Sequence, residues 1–283
     1  MDGIIIVNKE KDKTSRDVVN YLNDFFEMTK IGHAGTLDPL ATGVLIITLG
    51  KCTKLTDLLT GHDKEYIATM KLGLRTDTYD ITGKITSQED VNLNFDEIKQ
   101  SVNHFLGEYE QEVPIYSAVK VNGKKLYEYA RNNESVELPK RLVKIKEIEI
   151  IKIEEEIVTF RVLVSKGTYI RSLINDIGNY LGCGATMIEL IRTKQGEYSI
   201  NDSYTLKDIV TNNYKFIELN EYLKIFPSQQ IDESNEKLIK NGALINKTFD
   251  DKYLVYYEGD KPIAIYQEYI KDNTKAKPFM MIN

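Results

Sequence analysis

Apolar positions along this chain fall into runs of three kinds. Continuous β-branched runs at Gly3 to Asn8 and Val44 to Leu49 predict short buried strands. Strict alternation from Lys64 to Gly73 puts Tyr66, Ala68, Met70 and Leu72 on one face and Ile67, Thr69 and Lys71 on the other, which predicts a strand with one buried side. Two Ile/Val-rich runs, Val143 to Ile153 and Ile157 to Val164, flank Glu154-Glu155-Glu156 and predict an antiparallel hairpin. Helical spacing appears at Val18, Leu22, Phe25 and Phe26, behind a Thr14/Asp17 capping box. It recurs at Ile98, Val102 and Phe105, with Asn94 as N-cap and Gly107 as stop, and at Ile170, Leu173, Ile174, Ile177 and Leu181, closed by Gly182 and Gly184. A short helix follows Gly50, carrying Leu55, Leu58 and Leu59.

Between these elements, Gly73 to Asp80 reads as a polar loop with aspartates at 77 and 80, and Val113 to Arg131 as a strand, a glycine turn and a short basic helix. After Ile200 polar stretches alternate with short apolar runs, with a helix near Ser234 to Lys240 and short strands beyond. The predicted fold class is α+β: a mixed, largely antiparallel sheet with flanking helices over residues 1–227, then a small mostly-β module over 228–283, with the boundary near Phe226-Pro227-Ser228.

Composition narrows the function classes. With 283 residues the chain is long enough for one large domain and a small one. No apolar run approaches the roughly 20 residues a bilayer span needs, so no membrane partner is expected. The start Met1-Asp2-Gly3-Ile4 has no basic region before its apolar run, so no signal peptide is expected. Cys52 and Cys183 are far apart and have no companion ligands, which predicts neither disulfide nor zinc site and a reduced, cytoplasmic protein. The net charge of −6 argues against nucleic acid, but its distribution does not. From Val119 to Lys146 eight basic residues (Lys120, Lys124, Lys125, Arg131, Lys140, Arg141, Lys144, Lys146) stand against three acids (Glu128, Glu134, Glu137), with Tyr127 and Tyr129 interleaved. A local excess of five positive charges beside flat aromatic faces suits an RNA backbone; a solvated charged face is the other reading.

The candidate chemistry lies in Ile31 to Leu45, where three glycines and a proline exclude a regular helix or long strand. One imidazole, His33, one carboxylate, Asp38, and two threonines sit in this run, immediately before a buried strand. Pro39 fixes its own φ and pushes Asp38 out of the α region, so covalent stiffness holds the carboxylate. Taken alone, Asp-Pro is ordinary turn chemistry and a lone His is more often a loop residue than a catalyst. Farther on, Arg171 falls in the first turn of a helix, where the dipole disfavours a cation, which points to a specific anionic partner.

The full string Gly-His-Ala-Gly-Thr-Leu-Asp-Pro-Leu-Ala-Thr-Gly-Val-Leu, from Gly32 to Leu45, closely resembles the catalytic motif of the TruB family, the tRNA pseudouridine 55 synthases. Four more stretches resemble that family's motifs in the family's order: Lys64-Glu65-Tyr66, Arg75 to Gly83, Tyr116 to Arg131 and Ser165 to Arg171. The likeness runs over about Gly3 to Ile200. It departs from the family pattern at Glu10 after Lys9 and at Ile115, both places where the family tends to have proline, and both concern loop stiffness near the RNA.

What the resemblance implies is a pseudouridine synthase with Asp38 as catalytic aspartate, Tyr66 as base-stacking tyrosine and Arg171 as the partner of Asp38. His33 would lie near the flipped nucleotide, Asp80 and Lys9 would be among the substrate- and RNA-binding residues, and Tyr169 and Leu190 would line the uracil pocket. The segment at about 113–141 would be an RNA-gripping insertion, with Lys120, Lys124, Lys125 and Arg131 on the RNA. The C-terminal module is similar to the family's PUA-like domain. The implied partner is tRNA at its T loop and T stem; no cofactor, metal or protein partner is implied. A non-catalytic tRNA-binding or folding protein on the same scaffold, and a hydrolase using Asp38 with His33 or His62, are the competing readings.

Overall fold

The computed structural model describes residues 1–282. Its main sheet has eight strands along one path: Ile217–Glu218, Gly3–Lys9, Thr42–Leu49, Ala185–Gln195, Lys64–Leu72, Ile157–Val164, Lys140–Glu154 and Gly107–Glu112, with Ile31–Ala34 and Tyr198–Ser199 pairing off it. Neighbours are antiparallel except Thr42–Leu49 against Ala185–Gln195, which meet in parallel at Ile191↔Thr42 and Arg192↔Gly43. The mixed, largely antiparallel sheet is as expected.

The two strand patterns have a structural cause. Gly3–Lys9 and Thr42–Leu49 are covered on both faces, so their apolar runs are continuous. Ile5, Val7, Leu45 and Ile47 belong to a core shared with helices Ser15–Phe25 and Ile170–Leu181. Ile4, Ile6, Val44 and Ile46 belong to a second core on the other face, with Leu223, Val255, Ile265 and Met280 from the C-terminal region. Tyr66, Ala68, Met70 and Leu72 face the first core, whereas Glu65 on the opposite face meets Arg161, and alternation follows. The hairpin of Lys140–Glu154 and Ile157–Val164 closes through Glu155 at φ 52.

The C-terminal region forms a five-stranded sheet, Ser228–Gln230, Tyr253–Glu258, Lys261–Tyr269, Asp272–Met281 and Ile245–Asn246 in spatial order, with the helix Glu236–Lys240. One side of this sheet has its own small core around Tyr256 and Tyr266. The other side supplies the second core of the main sheet, so this module is seated on the larger one by apolar burial rather than tethered by a linker.

Three expectations are corrected. The stretch after Gly73 is not simply a loop: Leu74–Thr76 pairs with Ile85–Gln88 as a small hairpin. The strand expected to open Val113 to Arg131 lies earlier, at Gly107–Glu112, and residues 113–119 are irregular before a two-residue ladder of Lys120–Val121 with Lys124–Lys125. The central strand Ala185–Gln195 was not anticipated at all, because its inward positions include Thr186, Arg192 and Gln195 as well as apolar residues.

Candidate active site

The Asp38 loop is held from four sides. Ser15 Oγ accepts from the Leu37 amide at 2.9 Å and donates to the Leu37 carbonyl at 3.2 Å. Lys9 Nζ donates to the carbonyls of Glu10, Lys13 and Pro39. Arg192, fully buried on the central strand, donates to the carbonyls of Val44 at 2.6 Å, Gly35 at 3.0 Å and Thr36 at 3.5 Å. Gln195 donates to the Ala34 carbonyl at 2.7 Å. Gly43, at φ +97, lets the loop's exit strand come this close: a Cβ there would stand 2.3 Å from the Arg192 carbonyl oxygen.

Above this loop lies Arg171. Its Nε meets Asp38 Oδ2 at 2.9 Å and its Nη2 donates to Asp38 Oδ1 at 3.3 Å, a two-bond fork. Nη2 also donates to the Tyr116 carbonyl at 3.0 Å, and Nη1 to the Thr78 carbonyl at 3.1 Å. Asp80 Oδ2 stands 3.7 Å behind Nη1. Asp80 Oδ1 accepts from Thr78 Oγ1, from the Thr82 amide and from Thr82 Oγ1. The anionic partner expected of a first-turn arginine is therefore Asp38, with Asp80 second.

Asp38 faces a cleft of about 510 Å³. Tyr66, Tyr116, Tyr127, Tyr169, Ile170, Leu37 and Leu190 contribute its flat and apolar walls. The Asp38 side chain keeps 37% exposure, toward the cleft, while the Arg171 side chain keeps 6%. Burial raises the Asp38 pKa above the ordinary aspartate value; the Arg171 guanidinium opposes that rise, and Asp80 adds to it. The amide of Gln111, on Gly107–Glu112, fixes Tyr169: its Oε1 accepts from the Tyr169 N–H at 2.7 Å and its Nε2 donates to the Tyr169 carbonyl at 3.1 Å. Sequence reading missed Gln111 and Arg192, since a lone Gln or Arg in a strand carries no spacing signal.

The remaining predicted residues divide. Tyr66, Tyr169 and Leu190 line the cleft with Asp38 and Arg171. Lys9 does not: it is 1% exposed and its donors go to loop carbonyls, so it braces the Asp38 loop instead of meeting RNA. Burial brings its pKa down to about 8. Asp80 is likewise buried and committed to Arg171, Thr78 and Thr82 rather than to a ligand. His33 sits on Ile31–Ala34 opposite Ile47, two residues before the first cleft-lining residue, and its buried Nδ1 has no hydrogen-bond partner among the described residues. Burial, with Arg16 and Arg192 nearby, holds its pKa below the usual histidine value.

Lys120, Lys124 and Lys125 form the small ladder, followed by helix Leu126–Arg131, whose Leu126 is fully buried. Lys124 pairs with Glu134 at 2.6 Å and lies 4.6 Å from the centre of the Tyr129 ring. Lys125 and Arg131 lie over Tyr127, itself a cleft residue. A larger hollow of about 800 Å³, around His62, Glu65, Glu147 and Arg161, lies elsewhere, and its Arg161 is already answered by Glu65, Glu147 and Glu149.

Residues 23–170 match the family model described as TruB family pseudouridylate synthase (N terminal domain), and residues 171–225 match that of the tRNA pseudouridylate synthase B C-terminal domain. The chain is 44% identical over 271 residues to a tRNA pseudouridine synthase B of Clostridium tetani, covering 95% of this chain and 93% of that one. It is 45% identical to the Clostridium novyi protein of the same name, over 95% and 92%. Among solved structures, a Cbf5-Nop10-Gar1 complex superposes with a TM-score of 0.73 at 27% identity, covering 99% of this chain and 85% of the matched one. An H/ACA RNP bound to a substrate RNA containing 2′-deoxyuridine superposes at 0.68 and 25% identity, over 99% and 82%. With a family model over more than half its length and relatives at this identity along nearly all of it, the chain belongs to the TruB family of pseudouridylate synthases.

Proposed function

We propose that this enzyme isomerises uridine 55 in the T loop of tRNA to pseudouridine, with Asp38 acting on an extruded uridine. The observation that carries this reading is the Asp38 carboxylate, gripped by the Arg171 fork and facing a cleft walled by Tyr66, Tyr169 and Leu190. The reaction breaks the N1–C1′ bond, turns the base and joins C5 to C1′. It is an isomerisation, and its balance calls for no redox partner or nucleotide energy. A base inside a stack is out of reach of Asp38, so it must be extruded. Tyr66 offers the extruded ring a flat face, and the cations around the cleft hold phosphates.

Residues 1–227 act as the catalytic unit, with about 113–141 as an RNA-gripping insertion, and 228–283 as the closing module. The T stem is the partner of the insertion, and the enzyme works in the cytoplasm. A hydrolase built from Asp38 with His33 or His62 finds no support: neither imidazole lines the cleft, and the nearest second acid, Asp80, is committed to Arg171.

The reaction replaces the C5–H of the target uridine by the glycosidic bond. With tRNA carrying tritium at uridine C5, one tritium per tRNA should pass to water while no free uracil appears. Free uracil, or retained label, would count against isomerisation. Tyr66→Phe should keep tRNA affinity; its residual turnover separates proton transfer from stacking, and lost binding would contradict the stacking role.

Lys124, Lys125 and Arg131 are proposed to meet the RNA backbone. Changing all three to Ala should weaken binding across tRNA sequences and flatten the plot of log K against log salt by about 2 to 3 units. The middle of the segment, Arg131 to Ser135, has little apolar material, so limited proteolysis should cut near Asn132-Asn133 and tRNA should protect it. An unchanged slope, with cutting equally fast in both states, would make the segment a passive part of the fold.

A further inference from the structure

Four cations in the cleft wall have no carboxylate partner. Lys64, Arg141, Lys166 and Arg192 line the cleft, and among the described residues none of them makes an ion pair. Among the described residues Asp38 is the only acid lining it, and Arg171 already holds Asp38. They stand as two pairs on the same cleft wall, with Lys166 near enough to Lys64 to act on its charge. A Cβ placed on Gly35 would stand 3.5 Å from both Arg192 Nη1 and Lys64 Cε, so these two flank the start of the Asp38 loop. A Cβ placed on Gly167, beside Lys166, would stand 3.9 Å from Arg141 Nη1.

Two of the cations are buried, Arg192 at 0% and Lys64 at 8% exposure. Burying like charges together is costly unless an anion answers them. Lys64 Nζ donates to the carbonyls of Thr60 at 3.0 Å and His62 at 2.7 Å, which leaves one of its three hydrogens free. The amide N–H groups of Lys166 and Gly167, in a turn where Gly167 has φ +88, make no hydrogen bond among the described residues. A turn whose N–H groups make no hydrogen bond within the protein, beside cations without a carboxylate partner, has the make-up of a backbone anion site.

We propose that this wall is a seat for the phosphodiester next to the extruded nucleotide, contacted by Lys64, Lys166 and the 166–167 amides, with Arg192 and Arg141 supplying field behind them. It rests on the RNA reading above. It complements that reading because Asp38 needs its sugar held still, and an anchored neighbouring phosphate does that. Burial, then Arg192 and Lys166, bring Lys64 down to about 8, against a weaker pull upward from Asp63; the neighbouring His62 stays neutral, with its own pKa lowered. A seated phosphate adds negative charge there, so RNA binding near pH 8 should take up a proton at Lys64.

The test uses T-arm stem-loops with a neutral methylphosphonate in place of one phosphodiester, on either side of the target uridine in separate RNAs. Each carries a 2′-deoxy sugar beside the altered linkage and is compared with a matched deoxy phosphodiester RNA. For the wild-type enzyme one of the two replacements should weaken binding by about tenfold or more, the scale of a charge-assisted contact. Lys166→Met should also weaken binding of the phosphodiester RNA, and the methylphosphonate should then cost clearly less than it costs the wild type, because only Lys64 and the amides remain to lose. Lys64→Met should behave the same and should abolish the proton uptake, read by calorimetry in two buffers of different ionisation enthalpy. Lys166 is exposed, so its variant decides the matter even if Lys64→Met fails to fold.

Losses that multiply in Lys166→Met, or no loss at either linkage with wild type, would overturn the seat. So would inorganic phosphate that competes with RNA whose binding ignores both methylphosphonates, since the anion would then be a free one. If the wild-type enzyme converts the unmodified stem-loop while the losses multiply, only the seat fails. If it converts no stem-loop and no tRNA, the isomerase reading fails instead.

Discussion

Asp38→Asn is expected to abolish pseudouridine formation, to below about one part in 10⁴ of the wild-type rate, the scale seen when a group acting on the reacting atom is removed. tRNA affinity should stay within about tenfold, or 1.4 kcal/mol. On the proposed reading the two effects separate, with one carboxylate assigned to the chemistry and many contacts over the insertion and the cleft assigned to holding the RNA. Asparagine keeps the shape of aspartate, but its amide nitrogen faces an Arg171 N–H where Oδ1 or Oδ2 used to accept. Arg171 remains anchored by the Thr78 and Tyr116 carbonyls and by Asp80, so the fold should survive. Turnover by the purified variant under single-turnover conditions, beside its tRNA binding, checks this. Appreciable pseudouridine from Asp38→Asn would remove Asp38 from the chemistry.

Arg171→Lys is expected to lose at least about 10²-fold in single-turnover rate, the cost of misplacing a reacting group by about 1 Å. All five guanidinium hydrogens have a direction to serve: two toward Asp38, one each toward the Thr78 and Tyr116 carbonyls, and one toward Asp80. An ammonium offers three hydrogens from a single point and cannot span these groups. The pH profile should move as well. Asp38 acts ionised, and burial already lifts its pKa above the ordinary aspartate value, so the rate should fall on the acid side earlier than for an exposed aspartate. The Arg171 charge opposes that lift, so a poorly placed lysine should move the acid limb to still higher pH. A wild-type rate and an unmoved acid limb in Arg171→Lys would show that the fork is not what readies Asp38.

Local pattern made much of this fold legible. The capping box at Thr14/Asp17, the N-cap Asn94 and the αL stop at Gly182 stand in the structure as local chemistry dictates. The Asp38 loop was legible through the whole string from Gly32 to Leu45, which resembles a family motif; its glycines, proline and aspartate by themselves read equally as ordinary turn chemistry. What escaped was long-range. Ala185–Gln195 is the middle of the sheet, yet its Arg192 and Gln195 point into the interior to hold the carbonyls of a loop more than 150 residues earlier in the chain. A period-two pattern broken by an arginine does not look like a buried strand, because the compensating carbonyls are invisible from the strand itself.

Lys9 and Asp80 show the complementary error. Each falls near a motif and carries a charge, which suggests a ligand contact, but each spends that charge inside the protein, Lys9 on the Asp38 loop and Asp80 on Arg171. Proximity to a motif marks the right neighbourhood without separating the groups that touch substrate from those that hold them. Only distances and burial make that division.

The central claim is that Asp38 and its cleft convert one uridine of the tRNA T loop. The measurement that tests it most directly is nucleotide-resolution mapping of pseudouridine in an unmodified tRNA transcript after incubation with the purified wild-type enzyme and, in parallel, with Asp38→Asn. The account predicts near-complete conversion at position 55 and nowhere else with the wild type, and none with the variant. No conversion by the wild type, conversion at another position, or equal conversion by the variant would contradict it.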